Sequence, residues 1–343
     1  MTTLRQRLEY GMIRQIELQQ STFDTKIPVL NQMPSTLDLA RIVQSNFPVI
    51  VRDANFSHSI PALNPHSPSR WTKSYLRQKL GSTPISVAMT PFGDADSPIV
   101  STHGNRDVFV QPYTVIMPAN TLFDSLNNPD LIDNGAVRYM QSQDNNLPTQ
   151  FSALSSDFPA SLSVVDKVLG VEGPEALNIW LGDARTTSRL HCDQYENFYF
   201  QVSGFKEVWL IAPNEVYCLN EKFLTPANYV PTKTDDSTGF DVLVDNRIRW
   251  VLFPTVDPSD PSTFTPAYQH CRPYRVVLAP GDMLYLPALW YHQMSIQGDA
   301  EISVSVNYWY GMNYTGPLWM KWDNLRLQSV LLNGQEDESF FSV

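Results

Sequence analysis

A short triplet in the second half of the chain places two metal-binding side chains two residues apart. His191 and Asp193 flank Cys192 in the run His-Cys-Asp. On an extended strand, residues two apart point to the same side, so an imidazole and a carboxylate can meet one cation. His292, far along the chain in another strand-rich stretch, is the best candidate for a third ligand. Two histidines and one carboxylate on one octahedral face leave three open positions, which is typical of non-haem Fe(II) oxygenases.

The triplet alone is weak evidence, because short patterns recur by chance. A single histidine on a strand is more often a satisfied polar residue than a metal ligand. The surroundings of the histidines nevertheless favour a metal site at two of them, since His191 and His292 lie in strand-rich sequence. The other four lie in polar or proline-rich stretches typical of loops: His58, His66, His103 and His270.

Lys206 opens an apolar stretch shortly after the triplet and is the first candidate for binding an anionic co-substrate. A lysine at the start of a buried strand needs an anionic partner, because an unpaired buried charge is costly. The distal carboxylate of 2-oxoglutarate would serve. The alternative is that the ammonium group extends to solvent at the strand end.

Four further polar residues are candidates for the walls of the same cavity. Asn307 lies with two serines on the polar face of an alternating strand, and the pattern leaves open whether that face is interior or solvent-facing. Ser188 and Asn197 lie on either side of the triplet, at positions from which their side chains could point into the same cavity or reach it. Tyr139 is a more distant candidate with no local argument of its own.

Hydrophobic periodicity predicts the elements that must position these residues. After a capping threonine, Thr2 or Thr3, apolar residues recur every four positions from Leu4 to Ile16, which predicts a helix whose apolar face docks on the main domain. The stretch 94–114 is polar and is predicted to be an irregular surface segment. Further helices are predicted at 37–44, 71–80 and 318–332, and strands at 47–51, 85–90, 198–202, 207–211, 275–278, 283–286 and 301–309.

From about residue 178 onward, many short strands separated by turn signals indicate a sandwich or jelly roll. The stretch 226–273, rich in Pro, Asp, Thr and Ser, is predicted to be a long insertion in it. We therefore expect a mostly β fold with flanking helices. Residues 1–135 would form a helical and strand region packed on the core, 136–315 the β core, and 316–343 a C-terminal helix and tail.

The composition argues against several classes of function. The chain has 343 residues, 43% of them hydrophobic, and a net charge of −11, which argues against non-specific binding to nucleic acid or anionic membranes. Its three cysteines include no CxxC pair, so neither a disulfide framework nor a zinc-bound reader module is expected. No apolar stretch suits a membrane span or a signal peptide, so we expect a cytoplasmic or nuclear protein.

Four motifs resemble those of the Jumonji-C (JmjC) hydroxylases, and the resemblance extends over nearly the whole chain. The motifs are LHCDQYEN at 190–197, VSGFK at 202–206, PGDMLYLPALWYH at 280–292 and VNYWY at 306–310. The resemblance implies a double-stranded β-helix core, the cupin-like form of a jelly roll. It also implies that His191, Asp193 and His292 hold iron. Around 2-oxoglutarate it implies Lys206 at the distal carboxylate, helped by Tyr139 and Ser188, with Asn197 and Asn307 near the metal-binding end.

The same resemblance implies a protein hydroxylase that depends on Fe(II), 2-oxoglutarate and O₂. It is strongest to lysyl hydroxylases that act on GTP-binding proteins of the developmentally regulated family, so (3S)-hydroxylation of a lysine in a partner protein is expected. Two alternatives stay open: a histone lysine demethylase and a non-catalytic cupin-like binding protein. The helix at 318–332 either covers the barrel or pairs with a second chain in a homodimer.

Overall fold

The computed structural model describes residues 3–100, 107–126, 136–233, 238–298 and 300–334. Its strands, in chain order, are β1 (Val29–Leu30), β2 (Val49–Val51), β3 (Pro84–Thr90), β4 (Asp94–Ala95), β5 (Ser97–Val100), β6 (Asp107–Gln111), β7 (Tyr113–Pro118), β8 (Val137–Tyr139), β9 (Ala176–Gly182), β10 (Thr187–Cys192), β11 (Tyr195–Ser203), β12 (Phe205–Ile211), β13 (Lys222–Lys233), β14 (Thr238–Val244), β15 (Val251–Phe253), β16 (Tyr274–Leu278), β17 (Met283–Leu286), β18 (Tyr291–Gln297) and β19 (Ser303–Gly311).

The helices lie mainly before and after the β core. They are α1 (Leu4–Thr22), α2 (Thr36–Ser45), α3 (Ala54–Ser59), α4 (Lys73–Leu80), α5 (Ala119–Ser125), α6 (Ser163–Leu169) and α7 (Pro317–Leu332), with short 3-10 helices at Ser152–Asp157, Pro213–Leu219, Pro261–Thr263 and Pro266–His270. In the part of the chain that the structure describes, none of these helices has both the length and the apolar character needed to cross a membrane.

Two sheets form the centre of the fold. The first has the order β1-β2-β17-β11-β19-β9, and the second has the order β16-β12-β18-β10-β4. Tyr199 and Leu284 of the first sheet share one apolar cluster with Val208, Leu210 and Met294 of the second, so the two sheets lie face to face. Most of the pairings join strands that are distant in sequence. The predicted mostly β core with flanking helices is confirmed.

Strands β11 and β19 separate an apolar core from a polar interior. Phe198, Phe200 and Val306 pack into the largest apolar cluster, together with side chains from α2, α4, α5 and α6. Asn197 and Asn307 lie on the other face of these two strands, away from this cluster, and are 4% and 1% exposed. The solvent-facing alternative for Asn307 is therefore wrong, and the polar face points into the fold.

The first helix is confirmed, but its apolar face is only partly buried. Thr3 caps α1, as predicted, within a reciprocal capping box. Met12 and Ile16 are buried, whereas Leu4 and Leu8 are 74% and 40% exposed. The expected docking of the whole face is wrong for the first two turns, because the apolar cluster beneath the helix includes only its later turns.

The remaining predicted helices and strands are present within a few residues of their expected ends. The helix expected at 71–80 begins at Lys73, because Thr72 accepts a hydrogen bond from the Tyr75 N–H and acts as the N-cap. It ends at Gly81, which has φ +50°, a conformation that glycine adopts without steric cost. Helices α2 and α7 match the predictions at 37–44 and 318–332.

The prediction of an irregular segment at 94–114 is wrong. This stretch forms β4, β5, β6 and the start of β7, while residues 101–106, which include His103, lie outside the described part. β6 pairs in parallel with β13, more than a hundred residues away, and β4 pairs in parallel with β10. Polar residues form strands here because distant segments supply the hydrogen-bond partners, which local pattern does not reveal.

The expected insertion at 226–273 contains most of β13, all of β14 and β15, and two 3-10 helices. Its strands β13 and β14 join β5 and β6 in the third sheet, which has the order β14-β13-β6-β5, and β15 pairs with β13. The N-terminal region contributes β1, β2 and β4 to the two central sheets, through the pairs β2–β17 and β4–β10. The division of the chain at residues 135 and 315 stays a prediction.

Candidate metal centre and co-substrate cavity

The three predicted metal ligands lie together at one end of the second central sheet. β10 and β18 are antiparallel, and His191 lies directly opposite His292. The two ring centroids are 4.3 Å apart. Asp193 follows immediately after β10, and its Oδ2 lies 3.8 Å from Nε2 of His191 and 3.7 Å from Nε2 of His292. The three ligand atoms lie within 4.8 Å of one another, close enough for one cation to bind all three.

Backbone carbonyl groups orient both imidazole rings. Nδ1 of His191 lies 2.6 Å from the carbonyl oxygen of Arg189, and Nδ1 of His292 lies 3.0 Å from that of Trp290. Each Nδ1–H donates to its carbonyl oxygen, which leaves Nε2 as the basic nitrogen on the side of Asp193. This tautomer leaves Nε2 available to bind a metal, and the carbonyl contact raises the basicity of the ring.

A strained turn between β17 and β18 holds His292 against Asp193. Leu289 has φ +68°, a backbone conformation that is uncommon for a bulky side chain. Its N–H donates to the carbonyl oxygen of Asp193 at 2.8 Å, and the indole N–H of Trp290 donates to the carbonyl oxygen of Asn46 at 2.8 Å. Strained residues of this kind persist where the surrounding contacts determine them, and they cluster at functional sites.

The protonation of His292 suits a metal ligand. Burial, together with the neighbouring His191 and against the opposite effect of Asp193, lowers the pKa of His292 to about 4. The imidazole is therefore neutral near neutral pH without any metal. A cation binding there needs to displace no proton from this ring.

Cys192, between the two ligands, faces the other side of β10. Its side chain packs against the apolar cluster that contains Leu190 and Tyr291. Burial raises the pKa of the Cys192 thiol to about 12. The thiol is therefore protonated near neutral pH and lacks the thiolate character of a nucleophilic cysteine.

An inner cavity extends from the triad between the two central sheets. It brings together four of the five predicted co-substrate residues, and Lys206 lies behind one of them. The side chains along it are Tyr139, Gln143, Trp180, Ser188, His191, Asp193, Asn197, Tyr199, His292, Met294, Asn307 and Trp309. Hydrogen bonds fix several of these side chains. The Trp180 indole N–H donates to Oδ1 of Asn307 at 2.8 Å, and Nδ2 of Asn307 donates to Oδ1 of Asn197 at 3.2 Å.

Lys206 is fully enclosed on β12, the strand next to that of His292. It is 2% exposed, so the alternative of an ammonium group reaching solvent is wrong. Its Nζ lies 5.6 Å from the ring centroid of Tyr139, which lines the inner cavity and hydrogen-bonds to Ser188. No described residue forms a salt bridge with it, and burial lowers the pKa of Lys206 to about 7.

These observations fit a divalent metal with an anionic co-substrate. Two neutral-nitrogen ligands and one carboxylate, arranged on one side, leave open positions for further ligands. A buried lysine without a counter-charge is destabilising unless an anion joins it. The free space of the inner cavity is about 30 Å³, so a bound dicarboxylic acid requires side chains along it to move apart.

An outer cavity of about 490 Å³ meets the inner one at His191 and Asp193. Ser188, Trp180 and Gln143 also line both. The third sheet forms part of the outer wall through Gln111 and Asn228. Other described lining residues are Asp96, Pro112, Thr114, Gln141, Arg189 and Phe253. The outer cavity therefore adjoins the candidate metal centre.

Sequence reasoning missed several cavity residues. Tyr199 lies two residues after Asn197, and Met294 lies two residues after His292, so each points to the same side of its strand as the predicted residue. The alternation of β11 and β18 would therefore have predicted both. Trp180 and Asp96 gave no such signal, because they lie on strands or turns whose facing partners are far away in sequence.

Comparisons with known proteins agree with this architecture. The family model described as a cupin-like domain matches residues 34–316, from the turn before α2 to the turn before α7. The matched region therefore contains all three candidate metal ligands and all five candidate co-substrate residues.

The chain is also similar to curated proteins over most of its length. It is 33% identical to the Homo sapiens bifunctional peptidase and (3S)-lysyl hydroxylase JMJD7, with 84% of this chain and 85% of the relative covered. It is 27% identical to the Arabidopsis thaliana lysine-specific demethylase JMJ32, with 87% and 85% covered. It is 25% identical to JmjC domain-containing protein E of Dictyostelium discoideum, with 82% and 83% covered.

Proposed function

The chain belongs to the cupin-like Jumonji-C family, and on that premise we propose that it is a protein hydroxylase using Fe(II), 2-oxoglutarate and O₂. Members of this family are generally oxygenases that use Fe(II) and 2-oxoglutarate. The observation that carries the proposal is Lys206, which is buried on the strand next to that of His292 and has no anionic partner among the described residues. A metal site alone fits many functions, whereas a buried cation on the neighbouring strand would bind the carboxylate of an anionic co-substrate.

Each residue has a defined role in this proposal. His191, Asp193 and His292 would hold the iron. Lys206 would pair with the distal carboxylate of 2-oxoglutarate, and the hydroxyl groups of Tyr139 and Ser188 would hydrogen-bond to that carboxylate. Asn197 and Asn307 would donate hydrogen bonds near the metal-binding end.

The bound iron, with 2-oxoglutarate and O₂, would supply the oxidising power that replaces a C–H hydrogen of the substrate by a hydroxyl group, with succinate and CO₂ as by-products. The protein contributes orientation and the exclusion of water. Trp180, Tyr199 and Trp309 enclose the inner cavity and would keep water from its reacting end.

We propose a lysine in a partner protein as the target, with (3S)-hydroxylation of its side chain. The similarity to a human protein whose name includes (3S)-lysyl hydroxylase supports this substrate class. A GTP-binding protein of the developmentally regulated family is the proposed partner, in the cytoplasm or nucleus. The net charge of −11 suits a lysine-bearing segment.

Lysine demethylation is the second candidate, because the relative from Arabidopsis thaliana is named a lysine-specific demethylase. The two reactions would use the same iron centre and co-substrate. They differ in the carbon that is hydroxylated, since hydroxylation of an N-methyl group leads to its loss. Mass spectrometry of the modified protein separates them: a gain of one oxygen on an unmethylated lysine supports the hydroxylase, and loss of methyl groups supports the demethylase.

The conversion of 2-oxoglutarate to succinate, measured without a protein substrate, tests the proposed chemistry. We expect slow conversion that requires Fe(II) and falls to the protein-free level in His191→Ala and Asp193→Ala. Cys192→Ala is the matched control, because it changes the residue between them and keeps all three ligands. Undiminished turnover in either ligand variant would contradict the proposal.

Anaerobic titration with Fe(II) and 2-oxoglutarate distinguishes an oxygenase from a non-catalytic cupin-like binding protein. We expect a visible charge-transfer band in the wild type. The absence of both this band and bound iron would favour the binding protein.

A further inference from the structure

The outer cavity contains an acidic side chain that the proposed chemistry does not use. Among its described lining residues, Asp96 and Asp193 are the two carboxylates, and Asp193 is a candidate metal ligand. Asp96 directly follows β4, whose Ala95 is paired with Ser188 of β10. This pairing holds Asp96 next to the strand that carries His191.

Asp96 is partly enclosed and lacks a cationic partner among the described residues. Nε2 of Gln141 donates a hydrogen bond to its Oδ2 at 3.3 Å. Burial raises the pKa of Asp96, although His191 and this hydrogen bond act in the opposite direction. The carboxylate is therefore poorly compensated, and a cation entering the cavity would stabilise its charged form.

The backbone of Asp96 is also unusual. Its φ is +51°, in the left-handed region that few residues other than glycine adopt, although aspartate tolerates it better than most. This conformation is maintained between β4 and β5, which join two different sheets. Residues in such conformations concentrate at functional sites, which adds a second observation to the unpaired carboxylate.

The nearby arginine cannot serve as the partner of Asp96, because other carboxylates already bind it. Nε and Nη2 of Arg189 donate to Oδ2 of Asp94 at 3.2 and 3.0 Å. Nη1 of the same guanidinium group forms an ion pair with Asp257. Two carboxylates thus surround one guanidinium group, and the cavity wall around Asp96 keeps an excess of negative charge.

The rest of the outer wall is rich in uncharged hydrogen-bonding groups. Primary amides both donate and accept, so they match the N–H and C=O groups of an extended peptide. The described residues of this kind are Gln111, Gln141, Gln143 and Asn228, with the hydroxyl group of Thr114 beside them. One unpaired carboxylate among amides suits a peptide that carries a single cationic side chain.

We propose that Asp96 binds the ammonium group of the substrate lysine and so makes the site selective for a cationic side chain. This inference rests on the proposed function, because it requires that a protein substrate reaches the metal through the outer cavity. The ion pair forms in a partly desolvated cavity, where it contributes to orientation as well as to affinity. Gln141 is a positioning residue, since its hydrogen bond holds the carboxylate.

Two synthetic peptide libraries test this role with defined probes. Both have random flanking residues, and the central residue is lysine in one and norleucine, its uncharged counterpart, in the other. Modification is measured as the gain of one oxygen at the central residue, alongside succinate formation without peptide. We expect the wild type to favour the lysine library, and Asp96→Asn to lose roughly thirtyfold in the rate on lysine relative to its own peptide-free turnover.

Two further variants make the result specific. Asp96→Glu keeps the charge and should recover part of the lysine preference. Asp144→Asn removes an exposed carboxylate nearby and should leave both rates unchanged. Modification of both libraries at equal rates by the wild type, or of neither, would overturn the role of Asp96.

The peptide-free measurement separates this inference from the proposed function. If the wild type shows no Fe(II)-dependent turnover of 2-oxoglutarate, the proposed function itself fails. If peptide-free turnover is normal but Asp96→Asn retains full lysine preference, only the assignment of Asp96 is wrong. A loss of peptide-free turnover in Asp96→Asn would also overturn the assignment, because the residue would then support the metal centre.

Discussion

Two cationic side chains inside this protein differ in how their charges are compensated. Arg326 of α7 donates from Nε and Nη2 to Glu221 at 2.7 and 2.9 Å, and from Nη2 to the carbonyl oxygen of Leu252 at 3.1 Å. Lys206 of β12 is 2% exposed and has no salt bridge within the described residues. Burial disfavours both charges, but Glu221 raises the pKa of Arg326 overall, whereas the pKa of Lys206 falls to about 7.

The difference separates a charge that supports the fold from one that is available to a ligand. Arg326 and the fully buried Glu221 join α7 to the start of β13, and the Tyr291 hydroxyl group donates to the same carboxylate at 3.1 Å. This network is complete without any bound molecule. Lys206 instead lies behind Tyr139 at the inner cavity and has no anionic partner among the described residues, so in the proposed function a bound carboxylate would supply one.

The largest expected effect comes from breaking the compensated pair. Arg326→Met leaves the carboxylate of Glu221 buried without its cation, so we expect the free energy of unfolding to fall by about 3 to 5 kcal/mol. Urea denaturation measures this change. The affinity of the folded fraction for 2-oxoglutarate should be unaffected, because the pair lies outside the inner cavity.

The matched control is Arg41→Met, which breaks an ion pair whose side chains are 68% and 59% exposed. Such surface pairs contribute about 1 kcal/mol or less. If Arg326→Met loses no more stability than this control, the pair of Arg326 and Glu221 does not support the fold, and the contrast with Lys206 fails.

The opposite result is expected for the uncompensated cation. Lys206→Met removes a buried charge and keeps most of the side-chain volume. We therefore expect the free energy of unfolding to rise by about 1 to 4 kcal/mol, because the buried ionisable group has a desolvation cost that the thioether lacks. The same variant should bind 2-oxoglutarate roughly thirtyfold more weakly or worse, because the distal carboxylate loses its partner.

Urea denaturation and anaerobic ligand titration measure the two effects separately. A variant that becomes more stable while it loses ligand binding would identify Lys206 as a residue retained for function. Destabilisation together with unchanged affinity would contradict the proposed role.

The sequence predicted the site around Lys206 better than the ion pair of Arg326. Strand parity grouped His191 with Asp193, and an isolated lysine at the start of an apolar strand indicated an anionic partner. Both signals are local, because they depend on neighbouring residues of one strand. The same local alternation assigned Asn307 to a polar face, although only the structure shows that this face is interior.

The contacts that escaped prediction depend on distant parts of the chain. Arg326 meets Glu221 only because α7 packs against the 3-10 helix Pro213–Leu219, and neither sequence neighbourhood predicts that contact. Asp96 escaped for the same reason, since its position next to the candidate metal centre follows from the parallel pair β4–β10. The strands within 94–114 were missed because their hydrogen-bond partners are likewise non-local.

The lowered pKa of Lys206 also gives stability a pH dependence. Burial lowers this pKa from 10.5 to about 7 in the folded protein, while the unfolded chain retains the ordinary value. Between these two pH values the unfolded state binds more protons than the folded state. The contribution of Lys206 to the free energy of unfolding therefore increases as the pH rises through this window.

The smallest expected effect is a proton taken up when 2-oxoglutarate binds. At pH 8 the Lys206 ammonium group is mostly deprotonated in the free protein, and the distal carboxylate would raise its pKa again. We expect an uptake approaching about one proton at pH 8 and close to none at pH 6. Anaerobic calorimetry with Fe(II), in two buffers of different ionisation enthalpy, measures it. Lys206→Arg is the control, because its guanidinium group stays protonated and should bind without uptake. Equal uptake in this variant would assign the proton to another group and contradict the pairing of Lys206 with the co-substrate.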